Sequence, residues 1–167
     1  MNYIWEYSTP NGFDDMLMAS DGESLTCLCF GKSKDIYKLP TDCTKKLLPI
    51  FQQTIDWLDC YFSGNIPIFS PNYKLLNATP FRKQVSDIMQ KIPYGTTTSY
   101  KSIADKIAMQ KGINKMSAQA VGGAVGWNPI CIIVPCHRVL GSNGSITGYG
   151  GGTKNKIALL KLEGIRI

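Results

Sequence analysis

The chain changes character across a short segment that contains two prolines, residues 64–78, and this change limits the folds it can adopt. Before the segment, short apolar stretches with β-prone residues alternate with turn residues; after it, apolar residues recur at helical spacing. A segment with prolines and no helical period is typical of a linker. The sequence therefore predicts an α+β protein with an N-terminal support domain at 1–78 and a C-terminal domain at 79–167.

Three β-prone stretches open the first part: YIWEYST, DDMLMAS and SLTCLCFG. Turn residues Pro10-Asn11-Gly12 and Asp21-Gly22 separate them, which predicts a small three-stranded antiparallel sheet. Apolar residues at spacings of three and four then predict one helix, from Pro49 to Tyr61 or Phe62.

The second part is mainly helical by its capping signals. Thr79 with Pro80 predicts the start of one helix, and Ser99 predicts the start of a second. Residues 111–114 connect this second helix to a third, SAQAVGGAVGW. Two short helices joined by a tight turn predict a helix-turn-helix, of the winged type. An apolar strand-like run at 130–134, a glycine-rich loop and a last helix from about Thr153 to Glu163 complete the chain.

Basic charge is confined to the second part. Residues 1–78 carry six Lys/Arg against nine Asp/Glu, whereas residues 79–167 carry twelve against three. Such an asymmetry favours a polyanionic partner for the C-terminal part, and nucleic acid is the first candidate.

The third helix carries mostly very small side chains, since it contains Ser117, Ala118, Ala120, Gly122 and Gly123. A fully dressed helix is about 10–12 Å across, whereas the minor groove of B-DNA is only about 6 Å wide. A bare helix can approach that groove closely. Close packing against a neighbouring helix is the alternative explanation, and the sequence leaves both open.

The absence of membrane-span and export signals indicates a cytoplasmic protein, and this bears on the state of the six cysteines. No apolar run approaches the ~20 residues of a membrane span, and the N-terminus does not resemble a secretory signal. The thiols are therefore expected to be reduced. The first four, Cys27, Cys29, Cys43 and Cys60, are interpreted as buried small hydrophobes; a zinc site is less favoured because paired ligand spacing is absent.

Cys136 and His137 follow Pro135 directly and are the candidate reactive pair. Glu163 is the only carboxylate after Asp105, so it could orient and charge the imidazole, as in other systems with a cysteine nucleophile. In extended chain the two adjacent side chains diverge, so a water would have to carry the proton. An inert cysteine beside a surface histidine is the commoner case, and from these three residues alone both interpretations stand.

The string IIVPCHRVLGSNGSITGYGGG, with AVGGAVGWNP and TPFRKQV…IPYGTTTSYKSIA before it, resembles the O6-alkylguanine-DNA alkyltransferase family over residues 79–165. The resemblance implies a DNA repair protein that extrudes O6-alkylguanine from double-stranded DNA, from the minor-groove side. It transfers the alkyl group once, irreversibly, to its own Cys136. No cofactor or metal is implied, and a monomer is expected.

The resemblance also assigns roles to residues. His137, through a water, and Glu163 activate Cys136. Asn128 holds the turn after the third helix, and Tyr100 rotates the nucleotide out and meets the purine N3. The residues assigned to DNA or to the extruded nucleotide are Tyr100, Ser117, Ala118, Gln119, Ala120, Gly122, Arg138, Val139, Tyr149 and Gly150.

Two departures from the family pattern concern DNA affinity and substrate range. Gln119 stands where an arginine usually fills the gap left by the extruded base. Gly150 follows Tyr149 in the lid, the pair of residues that covers the base, where a serine or arginine is common. Two other functional classes compete with alkyl transfer. One is a binding-only protein, either a lesion sensor or a transcription regulator, and the other is a Cys-His hydrolase.

Overall fold

The structure is a computed structural model that describes residues 1–167. Its N-terminal half contains a small sheet and one helix. Strands β1 (Asn2–Tyr7), β2 (Met16–Ser20) and β3 (Leu25–Phe30) pair antiparallel, as the sequence predicts. A fourth strand, β4 (Cys43–Lys45), pairs parallel to β1 and gives the order β3-β2-β1-β4. The sheet is therefore mixed rather than purely antiparallel. So short an edge strand has no apolar alternation that sequence could reveal.

Helix α1 spans Pro49–Phe62, as predicted. A short 3-10 turn, Lys34–Lys38, lies between β3 and β4. The proline-containing segment is not free of the sheet, because the backbone N–H of Leu25 donates to Asn72 O at 2.9 Å and that of Lys74 donates to Leu25 O at 2.9 Å. It therefore runs along the edge of β3.

The second half contains four helices: α2 (Pro80–Gln90), α3 (Tyr100–Lys111), α4 (Ala118–Trp127) and α5 (Thr153–Leu162). The side chains of Thr79, Ser99 and Ser117 each accept a backbone N–H in the first turn of α2, α3 and α4. Helices α3 and α4 follow each other through residues 112–117, an arrangement consistent with a helix-turn-helix. Two-residue strands β5 (Thr98–Ser99) and β6 (Val139–Leu140) pair in parallel.

Residues 130–134 form a compact loop, so the prediction of a strand there is wrong. Ile132 has a positive φ of 70°, and the N–H of Ile133 donates to Cys131 O at 2.8 Å. The Asn128 side chain closes the loop: its Oδ1 accepts from the N–H of Ile130 at 3.0 Å and its Nδ2 donates to Val134 O at 3.0 Å. An apolar run indicates that a segment is buried. It does not indicate whether the backbone of that segment bonds to a neighbouring strand or, as here, to a side chain such as that of Asn128.

Most of the buried apolar side chains form one cluster of 31 residues that draws on both halves, from Met18 and Leu58 to Ile107 and Leu159. A separate cluster consists of Ala19, Cys27 and Cys29. The domain boundary near residue 78 stays a prediction.

All six cysteines are free, and Cys43 and Cys60 are only half-buried rather than fully buried. None of the helices has the length and apolar character required to cross a bilayer.

Candidate active site and DNA-binding groove

Cys136 begins a single 3-10 turn, Cys136–Arg138, that leads directly into β6. The expectation of extended chain at this point is therefore wrong. Because β6 pairs with β5 and β5 precedes α3, the pairing brings Cys136 towards Tyr100, the first residue of α3. Cys136 is 6% exposed.

The surroundings of Cys136 favour its ionised form. A hydrogen bond from the Cys131 thiol is the largest influence, and together with the Asn128 side chain and the charge of Lys38 it lowers the pKa of Cys136 to about 7. Burial and the charge of Asp35 act in the opposite direction. A free cysteine has a pKa of about 8.5, so a much larger fraction of this thiol is nucleophilic at neutral pH.

Glu163 bonds the imidazole of His137, because its Oε1 lies 2.7 Å from Nε2. Burial opposes ionisation of this carboxylate, but hydrogen bonds from His137 and Arg138 outweigh it and lower the pKa of Glu163 to about 2. The ionised carboxylate fixes the proton of neutral His137 on Nε2. Nδ1 is buried and has no hydrogen-bond partner among the protein atoms.

Arg138 is placed differently from its assignment to DNA contact. Its side chain is 10% exposed. Its Nη2 donates to Glu163 Oε1 at 2.8 Å, its Nε to Oε2 at 2.9 Å, and its Nη1 to Ile92 O at 2.8 Å. The buried guanidinium therefore holds Glu163, and the assignment of Arg138 to DNA contact stays a prediction.

Two more groups donate hydrogen bonds to the carboxylate of Glu163. The hydroxyl of Tyr61, from α1, donates to Oε1 at 2.8 Å, and the N–H of Gly95 donates to Oε2 at 3.2 Å. Sequence analysis missed Tyr61, since nothing local marks a buried tyrosine as the partner of a carboxylate about a hundred residues away.

A small cavity of about 10 Å³, here called the acceptor pocket, adjoins Cys136. Its walls are Asp35, Lys38, Tyr100, Val125, Gly126, Asn128, Cys136, Gly148, Tyr149 and Gly150. The volume suits about one water molecule. A purine is much larger than this space, so the walls would have to move apart for one to enter.

An open groove of about 990 Å³ runs above this pocket, between α3, α4 and the loop 141–148. Ala118, Gln119 and Gly122 line it from α4, and Tyr100 and Gly148 line both the groove and the acceptor pocket. Of the residues that sequence analysis assigned to DNA and to the reaction, eight therefore line the groove or the pocket: Tyr100, Ala118, Gln119, Gly122, Asn128, Cys136, Tyr149 and Gly150. Ser117, Ala120, His137, Arg138, Val139 and Glu163 line neither.

The small residues on the exposed face of α4 are not required by packing inside the protein, whereas Ala124 of the same helix is buried in the core. Ser117, Ala118, Gln119 and Ala120 are exposed. A Cβ added to Gly123 or Gly126 would meet nothing within 4 Å, and one on Gly122 would lie 3.8 Å from Tyr100, an ordinary contact. Close helix–helix packing therefore does not explain this face, and a bare surface for a ligand does.

A steric contact explains why a glycine stands at position 150. A Cβ at Gly150 would overlap with Oδ1 of Asp35, a residue of the Lys34–Lys38 turn. Asp35 thus fills the space that a lid serine would need. The carbonyl of Val139, a residue assigned to DNA or to the extruded nucleotide, accepts from Nζ of buried Lys156 at 2.7 Å and keeps a second lone pair.

Comparisons with known proteins agree with this geometry. A family model described as 6-O-methylguanine DNA methyltransferase, DNA binding domain, matches residues 80–165. A methylated-DNA–protein-cysteine methyltransferase of Haemophilus influenzae is 37% identical over 98% of this chain and 87% of its own length. One of Methanosarcina acetivorans is 41% identical over 97% and 98%. The crystal structure of Mycobacterium tuberculosis OGT in complex with DNA has a TM-score of 0.81 at 38% identity, covering 96% of this chain and 92% of that one.

Proposed function

Because this chain belongs to the methylated-DNA–protein-cysteine methyltransferase family, and so repairs DNA by alkyl transfer to a cysteine, we propose that Cys136 is that cysteine and that the alkyl group comes from O6 of guanine. One observation carries the assignment: among the six thiols, Cys136 lies beneath the α4 groove with a pKa lowered to about 7. The other five line neither the groove nor the pocket.

The proposed reaction is a single displacement. The Sγ–C bond forms while the C–O6 bond breaks, and the electron pair of the broken bond returns to guanine, which takes up a proton. Burial raises the pKa of Tyr100, so its phenol stays protonated and can donate to the purine N3. A thioether is not a leaving group, so each molecule reacts once.

His137 is proposed to take the thiol proton through a water. Burial lowers the pKa of His137, so the ring is neutral at pH 7 and Nδ1 can accept. Glu163, which holds the Nε2 proton, stabilises the imidazolium that forms. His137→Ala is therefore expected to slow transfer rather than end it, since a thiol with a pKa of about 7 is partly ionised without a base.

The proposed substrate is double-stranded DNA that contains O6-alkylguanine, approached by α4 from the minor groove and bound by a monomer. The nucleotide must leave the stack, because no thiol can reach the alkyl carbon inside a duplex. The pocket beneath the groove supplies the destination for the base once the lid opens. Six free thiols favour a reducing compartment, for which we propose the cytoplasm.

A titration of protein with an excess of duplex that carries one O6-methylguanine tests this function. Repaired duplex should rise to one equivalent of protein and stop there. A lesion sensor or regulator would bind the duplex and leave every lesion in place, and a hydrolase would continue beyond one equivalent. Either of these results would contradict the proposal.

Gln119→Arg is expected to improve affinity for the lesion duplex about tenfold, on the order of 1.4 kcal/mol. Gln119 is exposed on the groove side of α4, and arginine would add a planar cation that stacks on bases and is attracted to the negative minor groove. The salt dependence of binding should steepen as well. Binding isotherms at two salt concentrations measure both quantities.

Gln119→Ala is the matched variant, and it should lose less affinity than arginine gains. If the arginine variant binds no better, or the alanine variant loses most of the affinity, glutamine is an adequate replacement for the extruded base. The account of this departure from the family pattern would then be wrong.

A further inference from the structure

Two charged residues of the N-terminal half reach the acceptor pocket. Lys38 Nζ lies 2.7 Å from Oδ1 of Asp35, and the two side chains are only 7% and 6% exposed. Both line the pocket together with Cys136. The other Lys–carboxylate pairs of the chain are far more exposed, so this one is unusual within the molecule.

The ammonium of Lys38 is fully occupied by the protein. Besides Asp35, its Nζ donates to Gly126 O at 2.8 Å and to Asn128 O at 2.9 Å, at the C-terminal end of α4. A lysine ammonium has three protons, and three acceptors hold them here. The charge is therefore fixed beside the acceptor pocket and is not free to bind a DNA phosphate.

Lys38 remains charged despite its burial. Burial disfavours the ammonium, but the hydrogen bond with Asp35 and the charge of that carboxylate outweigh it, and the pKa of Lys38 is raised. The C-terminal carbonyls of α4 also favour a cation at this position. A fixed positive charge in a water-poor site acts strongly on a neighbouring thiolate.

Asp35 acts on the same thiol through Cys131. Its Oδ2 lies 3.6 Å from the Cys131 Sγ, so this thiol can donate to the carboxylate. The same Cys131 proton is the hydrogen-bond donor for Cys136. One proton thus has two competing acceptors, and the carboxylate draws it away from Cys136.

We propose that Asp35 and Lys38 form a positioning pair through which the N-terminal half sets the ionisation of the acceptor thiol, with Lys38 favouring the thiolate and Asp35 opposing it. The pair acts through Cys136 and does not touch the alkyl group. The inference rests on the proposed function of Cys136 as the acceptor. It gives the N-terminal half a part in the reaction beyond support of the fold.

One other charged group acts on Cys136: the cation Lys156 of α5, whose charge interacts with that thiol, and it belongs to the C-terminal half. Tyr100, from α3, and Tyr149, from the lid, have pKa values raised by burial and stay neutral. Burial lowers the pKa of His137, and Lys156, from α5, donates to Val139 O. The ionised Glu163 lies behind the imidazole and is bonded to Arg138.

The test compares Lys38→Met, Asp35→Asn and the double variant with the natural protein. Lys45→Met is the matched control, since Lys45 forms an exposed ion pair with Glu6. The first readout is the rate at which methyl methanethiosulfonate modifies Cys136 without DNA, followed against pH and assigned by peptide mass. The second is the single-turnover rate of transfer from saturating O6-methylguanine duplex over the same pH range.

The midpoint of both profiles should rise by about one pH unit in Lys38→Met and fall in Asp35→Asn. The double variant should lie between them, and Lys45→Met should match the natural protein. The double variant carries no unpaired buried charge, so it keeps the test open if Lys38→Met does not fold.

Unchanged midpoints in the folded variants, or shifts of the same sign in both single variants, would overturn the inference. Failure of the natural protein to transfer would instead overturn the proposed function. The thiol profile measured without DNA distinguishes these two failures, because it does not depend on transfer.

Discussion

Replacing Cys136 with alanine is expected to abolish alkyl transfer while lesion duplex is still bound. This is the largest effect that we expect from any substitution. The thiol lies in the acceptor pocket, whereas the contacts proposed for DNA lie on α4 and the groove above it. The change removes one buried sulfur, so the fold and the groove should survive. Transfer is measured by the loss of O6-methylguanine, and binding by a gel shift with the same duplex.

Cys60→Ala is the matched control, since Cys60 is a free thiol on α1. It should transfer at the rate of the natural protein. Transfer by the Cys136 variant would show that another thiol is the acceptor. Loss of binding in that variant would show that pocket and groove are not independent.

Glu163→Gln is expected to destabilise the protein by about 3–5 kcal/mol and to slow transfer as well. The substitution leaves the buried Arg138 guanidinium without a counter-charge, and it disturbs the bonds from Tyr61 and His137. Unfolding in guanidinium chloride at pH 7 measures the loss. Glu23→Gln, at an exposed carboxylate, should change the free energy of unfolding by less than about 0.5 kcal/mol.

The same carboxylate makes stability depend on pH in a defined window. Its folded pKa of about 2 lies below the value of about 4.3 expected in the unfolded chain. Its contribution is therefore complete above about pH 4.3 and is lost as the pH falls towards 2. The difference in unfolding free energy between Glu163→Gln and the natural protein should shrink over this window. An equal difference at pH 7 and pH 3 would contradict the role given to this charge.

Sequence rules that depend on a few neighbouring residues correctly predicted where helices begin. Thr79, Ser99 and Ser117 cap their helices as expected, because a side-chain oxygen at an N-cap needs only the next few residues. The loop at 130–134 escaped prediction because Asn128, outside the apolar run, makes its hydrogen bonds.

Within the candidate site, the motif predicted some contacts and missed others. His137 and Glu163 do meet, whereas Arg138 turns inward to Glu163 rather than outward to a groove. Their roles in the reaction stay predictions.

Asp35 and Lys38 could not be found from the sequence. A charged turn on the acidic half is typical of a solvated surface, so the sequence gives no reason to expect this pair near the reactive cysteine. The structure buries this pair against α4 and the lid, so only tertiary packing makes the exception visible.

The mass of the intact protein after incubation with duplex DNA containing O6-methylguanine tests the central claim most directly. The account predicts a permanent gain of one CH₂ unit per chain, confined on peptide mapping to the peptide that carries Cys136. Unchanged mass with duplex bound, or a methyl group on any other residue, would contradict it.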